Sequence, residues 1–434
     1  MQTIWASHSR NWGTRVADDS TISPRGSLAV LAASGVAALS TIIVTILSAR
    51  VISVAANTEF IAYWSLLFGL FQVVSGIQNE ATRAVGSLDS FDSRDPGRQG
   101  ARVITMPLIF GGALAILAGV IAAIFGGRMG AGLTPVVIVV SMVVIVGYSC
   151  HLTIIGTLAG RHQWNWLAGL NAAEAIVRVA VMAVIGLSFR ALSPLQLAAA
   201  LPGLTWLLIV LWARPIREAV AVRTALPLMK LLRNGFLAII SSLAMAVLVN
   251  GFPAIVRLAL AQRLSPDRMA PLLVAIQLTR APLMIPLVAF QGVAIAAFVA
   301  RPDQHLRALA KPLVLIVGIG IVAAAFVGWL GPWLIALLYG SAYQVSWFTC
   351  AFLTVAAISL ASLTLIGAAT IAISEHRAFA LGWLVAAIVT VVLLWLPVPP
   401  LVRPAVAVFF GPLAGIVIQL WAIIRHDSHR AAGR

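Results

Sequence analysis

The chain has 434 residues, of which 61% are hydrophobic and 10% charged, with a mean hydropathy of +1.02. Water-soluble domains run nearer 45–50% apolar and about 25% charged, so this composition excludes them and marks an integral membrane protein. The net charge is +16, but the basic residues stand between apolar runs and form no basic domain, which argues against nucleic acid as a partner.

Residues 1–27 hold Arg10, Arg15 and Arg25 with no apolar core or small-residue cleavage site, so they read as a cytoplasmic tail and not as a signal peptide. At about 20 apolar residues per crossing, spans are predicted at 28–49, 58–80, 103–125, 134–157, 166–188 and 193–213. A second set follows at 236–257, 270–299, 312–335, 345–373, 379–396 and 402–424, before a short tail over 425–434. The expected fold is all-α: twelve transmembrane helices in two six-helix lobes, 28–213 and 236–424, around a central cavity.

Of the lysines and arginines, 20 fall in segments assigned to the inner side and 6 to the outer side, while Arg178, Arg257 and Arg280 lie within spans. By the positive-inside rule both termini are cytoplasmic, in a bacterial inner membrane. Residues 214–235 join the lobes as a basic amphipathic stretch, read either as lying on the inner leaflet or as a plain linker.

The halves echo one another. Thr153-Ile154-Ile155-Gly156 recurs as Thr364-Leu365-Ile366-Gly367 after 211 residues, Arg50 corresponds to Arg257 after 207, and Arg102 to Lys311 after 209. Six helices per repeat gives both lobes one topology and a pseudo-two-fold axis along the membrane normal, with a site at their interface.

Polar residues inside spans nominate that site. Leu272–Ala300 is long enough to cross the bilayer, yet it contains Gln277, Arg280 and Gln291 together with Pro282 and Pro286. An arginine at the centre of a span costs roughly 2.5–3.5 kcal/mol on insertion scales, so this helix should face a wet interior. It contains no carboxylate, and Arg280 either contacts an anionic ligand or pairs across the cavity with Glu174, Glu59 or a carbonyl. On the fifth span, Asn171, Glu174 and Arg178 share a face. Two readings stay open there: an internal Glu174–Arg178 ion pair, or a substrate-facing arginine with a responsive carboxylate. Arg50 and Arg257 either snorkel to headgroups or flank the outer mouth of the cavity. Gln72 is a cavity candidate, while Glu59, Glu174 and His151 are candidates for coupling to an ion; a packing role for His151 is the alternative.

No phosphate-binding loop, HExxH, CxxC or carboxylate-rich helix pair occurs, and the loops leave no room for a soluble catalytic domain. The sequence therefore nominates no metal or cofactor and no enzyme activity.

The Gln72-to-Arg83 end of the second span, the Thr153–Gly156 turn with Arg161, and the Arg280-Ala-Pro…Gln291-Gly292 stretch resemble the multidrug/oligosaccharidyl-lipid/polysaccharide (MOP) exporter superfamily. The polysaccharide-flippase branch is the nearest match. The resemblance implies alternating access between the lobes and a cationic lumen for a polyprenyl-pyrophosphate-linked saccharide. It further implies membrane lipids as surroundings, coupling to H+ or Na+, and glycosyltransferases or a polymerase of the same pathway as partners. Arginine forks suit diphosphates, whereas a positive lumen would repel the cations that a multidrug exporter expels. A major-facilitator-type transporter and a non-transporting envelope-assembly scaffold are the other readings. On this reading Arg178→Ala and Arg280→Ala each abolish transport.

Overall fold

The computed structural model describes residues 24–87, 100–129, 131–280, 305–373 and 375–432. The helices are α1 (Pro24–Val51), α2 (Val54–Gly86), α3 (Thr105–Met129), α4 (Pro135–Gly160), α5 (Trp164–Phe189) and α6 (Leu192–Ile209). A short α7 (Arg214–Ala221) precedes α8 (Leu228–Val249), α9 (Phe252–Leu260) and α10 over 266–280. The last four are α11 (His305–Tyr339), α12 (Trp347–Ala372), α13 (His376–Leu393) and α14 (Arg403–Ala432). Among the described residues, 11 helices are long and apolar enough to cross a membrane. The remaining expected span, 270–299, continues past Arg280 outside the described residues, and Gln291 lies there.

Three outer helix starts are capped as their sequences dictate. The side-chain oxygens of Ser53, Thr134 and Ser346 accept from the amides of Ala56, Val137 and Thr349, satisfying donors the helix itself cannot. Pro202 interrupts α6 with one 3₁₀ turn, Leu201–Leu204, because a proline inside a helix removes a hydrogen bond and crowds the preceding turn. The expected seventh span, 236–257, is not one helix. It starts earlier, at Leu228, and breaks at Asn250–Gly251, leaving Arg257 on the separate α9.

The two halves repeat their packing. In the first, α3 lies on α4, α4 and α5 on α6, and α1 on α5. In the second, α11 lies on α12, α12 and α13 on α14, and α8 on α13. Thr153 and Thr364, the matching threonines of the echoed motif, each donate to the carbonyl four residues back, at 2.9 Å. The sequence echo is thus a structural repeat. Lipid-facing α3 and α11 bury little, whereas α2 and α12 have 72% and 83% of their apolar windows buried and form the centres of the two lobes.

The lobes meet along α2, which packs on α8 so closely that a side chain at Gly76 would overlap the backbone at Ala238. Nearer the outer side one apolar cluster spans both halves, uniting Val44, Phe60 and Trp64 with Phe252, Ile335 and Tyr339. Polar contacts surround it. Thr45 Oγ1 and Tyr339 Oη share a hydrogen bond of 3.0 Å, Asn57 Nδ2 donates to Tyr343 Oη at 2.8 Å, and Thr58 Oγ1 donates to the Pro266 carbonyl at 2.8 Å.

The connection between the lobes is docked on protein. Its amphipathic α7 buries Ile216 and Ala219 among Leu158, Leu167 and Trp206 of the first lobe. Residues beyond it pair with the 100–103 segment through Ala101 N to Leu226 O (3.0 Å), Val103 N to Val222 O (3.1 Å) and Thr224 N to Ala101 O (2.9 Å). Glu218 accepts from Arg214 at 2.8 Å and from Arg161 at 3.4 Å. Hydrogen bonding from Arg214, with the charges of Arg214 and Arg161, holds its carboxyl below the usual range. A depressed carboxylate contributes above its unfolded pKa and loses that contribution as pH falls through its folded pKa. Glu218→Gln should therefore speed amide exchange at Val103 and Thr224 at neutral pH while leaving the global unfolding temperature nearly unchanged, as for exposed ion pairs. In acid the variant and the native protein should exchange alike, and hydrogen-exchange mass spectrometry measures both.

Candidate functional site

Two buried polar clusters flank α2. In the first lobe, Glu174 and Arg178 occupy one face of α5, four residues apart, and form an ion pair with both side chains buried. The Arg178 guanidinium also lies over the rings of Phe68 and Trp64, 4.8 and 5.7 Å from their centroids. His151 of α4 faces Asn171 of α5 and stacks on Tyr148 at 5.2 Å, and Tyr148 stacks on Phe71 at 3.9 Å. Asn171, Glu174, Arg178 and His151 therefore form one cluster, faced by three aromatic residues of α2. Of the two readings of Arg178, the structure holds the ion pair. The reason is local: an arginine in an apolar helix needs a counter-charge, and Glu174 on the preceding turn supplies it.

The second cluster forms at the break in α8. Leaving the helix at Asn250 frees the last carbonyls of α8, and within a bilayer these need partners from the protein. Gly251 N donates to Ala246 O at 2.7 Å, and Arg280 Nη1 donates to Leu248 O at 3.0 Å. The Arg280 guanidinium lies over Phe252, 4.5 Å from the ring centroid. Asn250 Nδ2 reaches Gln72 Oε1 at 3.3 Å, and Gln72 Nε2 donates to Ser75 at 3.0 Å. Among the described residues no carboxylate pairs with Arg280, and its Nη2 is buried without a hydrogen-bond partner. Of the options that the sequence left for Arg280, a carbonyl is the contact observed. Gln277 lies half-buried one turn before it.

The remaining candidates stand apart. Arg50 is exposed and donates to the carbonyls of Leu338 (2.9 Å) and Leu337 at the end of α11. This fastens one lobe to the other where the α11 dipole is negative. Arg257, its repeat counterpart, is half-buried on α9 with Nε unpartnered. Glu59 is half-buried at the outer end of α2, its carboxylate against Gly132 in the α3–α4 turn. Sequence reasoning missed Asn250, Phe252, Asn57, Tyr339 and Tyr343. For Asn250 the signal was present, since Asn-Gly is a strong helix breaker.

An apolar bay of about 320 Å³ opens beside the α8 break, between α2, α3, α4, α8 and α9. Leu66, Val73, Ile121, Met142, Val247 and Ile255 line it, with Gly251 at its edge. Val73 is adjacent in sequence to Gln72, and Val247 and Gly251 bracket Leu248 and Asn250. The bay and the Arg280 cluster thus share the α8–α9 break, while the wall of the bay itself is apolar.

This fold is shared with solved structures of membrane transporters of the MOP superfamily. An inward-facing multidrug-resistance MATE family transporter of that superfamily superposes with a TM-score of 0.64 at 15% identity, covering 94% of this chain and all of the other. The lipid II flippase MurJ in an inward closed conformation gives a TM-score of 0.69 at 13% identity, over 93% of this chain and 89% of its own. At these identities the likeness is one of fold. In sequence, uncharacterized proteins of Mycobacterium tuberculosis and Mycobacterium bovis are 34% identical over 397 residues, 91% of either chain. A second uncharacterized Mycobacterium tuberculosis protein is 33% identical over 416 residues, 93% of either chain. The chain belongs to the family that these mycobacterial proteins form. No protein-family model matches it.

The ion pair changes what removing Arg178 should do. Arg178→Met leaves Glu174 buried without its partner, and such a loss costs about 3–5 kcal/mol, whereas replacing both charges by apolar residues is often neutral. The single variant should lower the unfolding temperature in detergent strongly, and Glu174→Leu/Arg178→Met should recover most of the loss. Thermal unfolding of the three proteins checks this.

Proposed function

We propose that this protein is a flippase that moves a polyprenyl-pyrophosphate-linked saccharide across the bacterial inner membrane by alternating access of its two lobes. The observation that carries the reading is the buried Arg280 guanidinium, unpaired with any described carboxylate, on the same α8–α9 break whose Val247, Gly251 and Ile255 line an apolar bay. A planar fork offers two parallel donors to phosphate oxygens, and the bay beside it accepts hydrocarbon. That pairing suits an amphiphile with an anionic head better than a soluble cation. The bay's volume sits at the low end of the ~300–1,000 Å³ usual for ligand pockets, which fits a segment of lipid tail whose remainder stays in the bilayer.

In this reading Gln72, Asn250 and Gln277 orient the head beside Arg280, and Arg257 extends the polar path. Arg50 holds the outer closure. Coupling to H+ or Na+ is assigned to the first-lobe cluster, where a cation or proton taken by Glu174 would compete with Arg178 for the carboxylate and loosen α5 from α2. His151 and Asn171 border that exchange, and Glu59 is a second coupling candidate at the outer end. Glycosyltransferases or a polymerase of the same pathway would supply and consume the lipid-linked saccharide.

The test is translocation of a lipid-linked oligosaccharide in proteoliposomes. Arg280→Ala should reduce the rate at least tenfold, in keeping with the roughly 1.5–3 kcal/mol of a hydrogen bond to a charged group, while the protein still inserts and stays monodisperse. Arg280→Lys should restore only part, because an ammonium lacks the planar fork. Undiminished translocation by Arg280→Ala would overturn the proposal.

A further inference from the structure

Away from the lobe interface, α13 and α14 pack together and leave a recess of about 480 Å³ at their inner ends. Glu375, Arg377, Arg425 and His426 line it with Leu381 and Trp421. Depth follows from helix length. At 1.5 Å per residue, Trp421 lies about 27 Å from the outer start of α14 at Arg403, and Arg425 about 33 Å from it. The hydrocarbon core is about 30 Å thick. Trp421 therefore stands at the inner edge of the hydrocarbon and Arg425 among the headgroups. Arg377, the second residue of α13, enters from the same side.

The chemistry of the recess changes along this depth. Its deeper wall is apolar and open to lipid: Leu381 is 52% exposed and Trp421 60% exposed. The Arg425 guanidinium lies over the Trp421 ring at 5.5 Å, so ring and charge sit where an interfacial anchor belongs. The shallower wall carries two arginines and a histidine against one carboxylate. The arginines come from different helices and line one recess, so a phosphate seated there meets guanidinium donors from both sides. The first turn of α13 receives no side-chain cap from Glu375.

We infer that this recess binds the headgroup of an anionic phospholipid. Arg377 and Arg425 take the phosphodiester, His426 borders it, and an acyl chain runs down the Leu381–Trp421 face. The inference is independent of the flippase reading, since the recess is built only from α13 and α14. Arginine pairs match phosphate oxygens, and basic pockets between helices at the inner surface are suited to acidic lipids. Glu375 is the one element that opposes binding, which provides a test in the direction of gain.

The experiment is native mass spectrometry of the full-length protein released from mixed micelles of dioleoyl-phosphatidylglycerol and dioleoyl-phosphatidylcholine. The wild type should retain the glycerol lipid in preference. Arg377→Gln/Arg425→Gln should weaken that retention roughly fivefold for each arginine removed, from the contribution of a basic residue near an anionic surface. Retention of the choline lipid and the unfolding temperature should not change. Glu375→Gln should strengthen phosphatidylglycerol retention, an outcome that misfolding cannot produce. Retention of phosphatidylglycerol that is indifferent to all three substitutions would overturn the inference. So would its complete displacement by millimolar inorganic phosphate, which would mean that the site reads a free anion and not a lipid.

Discussion

The break at Asn250–Gly251 is the constraint to which the centre of the molecule answers. A helix that ends inside a bilayer exposes carbonyls that lipid cannot satisfy, each at a cost of several kcal/mol. Here the repair comes from two directions. The chain turns back on itself through Gly251 and Ala246, and Arg280 donates to Leu248, while the Asn250 side chain donates to Gln72 of α2 beside them. The repair also fixes how near α2 must come. Gly69 faces the break across a gap in which a side chain would sit 3.4 Å from the Cα of Gly251. Close approach of α2 is thus what seals the break, and it explains why α2 is so much more buried than its neighbours α1 and α3.

The two buried arginines beside α2 solve one problem in opposite ways. Arg178 keeps its counter-ion on its own helix and covers its faces with Trp64 and Phe68, so its charge is neutralised before any ligand arrives. Among the described residues Arg280 has dipoles alone, the Leu248 carbonyl and the Phe252 ring. In a medium of low dielectric a full charge met by dipoles retains a strong field. In the proposed mechanism that residual field is what draws an anion to Arg280, and the compensated pair is what suits the first-lobe cluster to exchanging one small cation. Two residues that looked alike in the sequence therefore take different places in the proposed mechanism.

How much of this was legible in the sequence depends on the range of the interaction. Span positions and the repeat were readable because hydropathy and the Thr153 and Thr364 motifs are local and survive folding unchanged. The Glu174–Arg178 pair was readable as one of two options, since four-residue spacing puts both groups on one face. The start of α8 was misplaced because Lys230 and Arg233 were read as linker, although basic side chains near an inner helix end are tolerated at the interface. Asn250–Gly251 was passed over because the run on either side is apolar, and hydropathy does not register backbone geometry. The Tyr339 and Tyr343 contacts could not be read at all. Their partners lie nearly 300 residues away, and tyrosine in an outer loop gives no hint of which hydroxyl or amide it will meet.

Those tyrosines show how the lobes are joined at this end of the molecule. Thr45–Tyr339, Asn57–Tyr343 and Thr58–Pro266 are hydrogen bonds between neutral groups, and Arg50 meets carbonyls and no carboxylate. A neutral hydrogen bond contributes only about 0.5–1.5 kcal/mol net, because water replaces it when the groups separate. A buried ion pair pulled apart would leave charges costing several kcal/mol. Glu80–Arg83 and Glu174–Arg178 lie within the first lobe, Arg161–Glu218 ties the connecting segment to it, and Arg214–Glu218 lies within that segment. Charges whose separation is expensive are kept where nothing needs to separate, and the interface between the lobes is held by contacts that water can replace. On the proposed alternating-access reading, the apolar cluster around Phe60, Trp64 and Phe252 sets most of the cost of opening, and covering that surface with hydrocarbon lowers it.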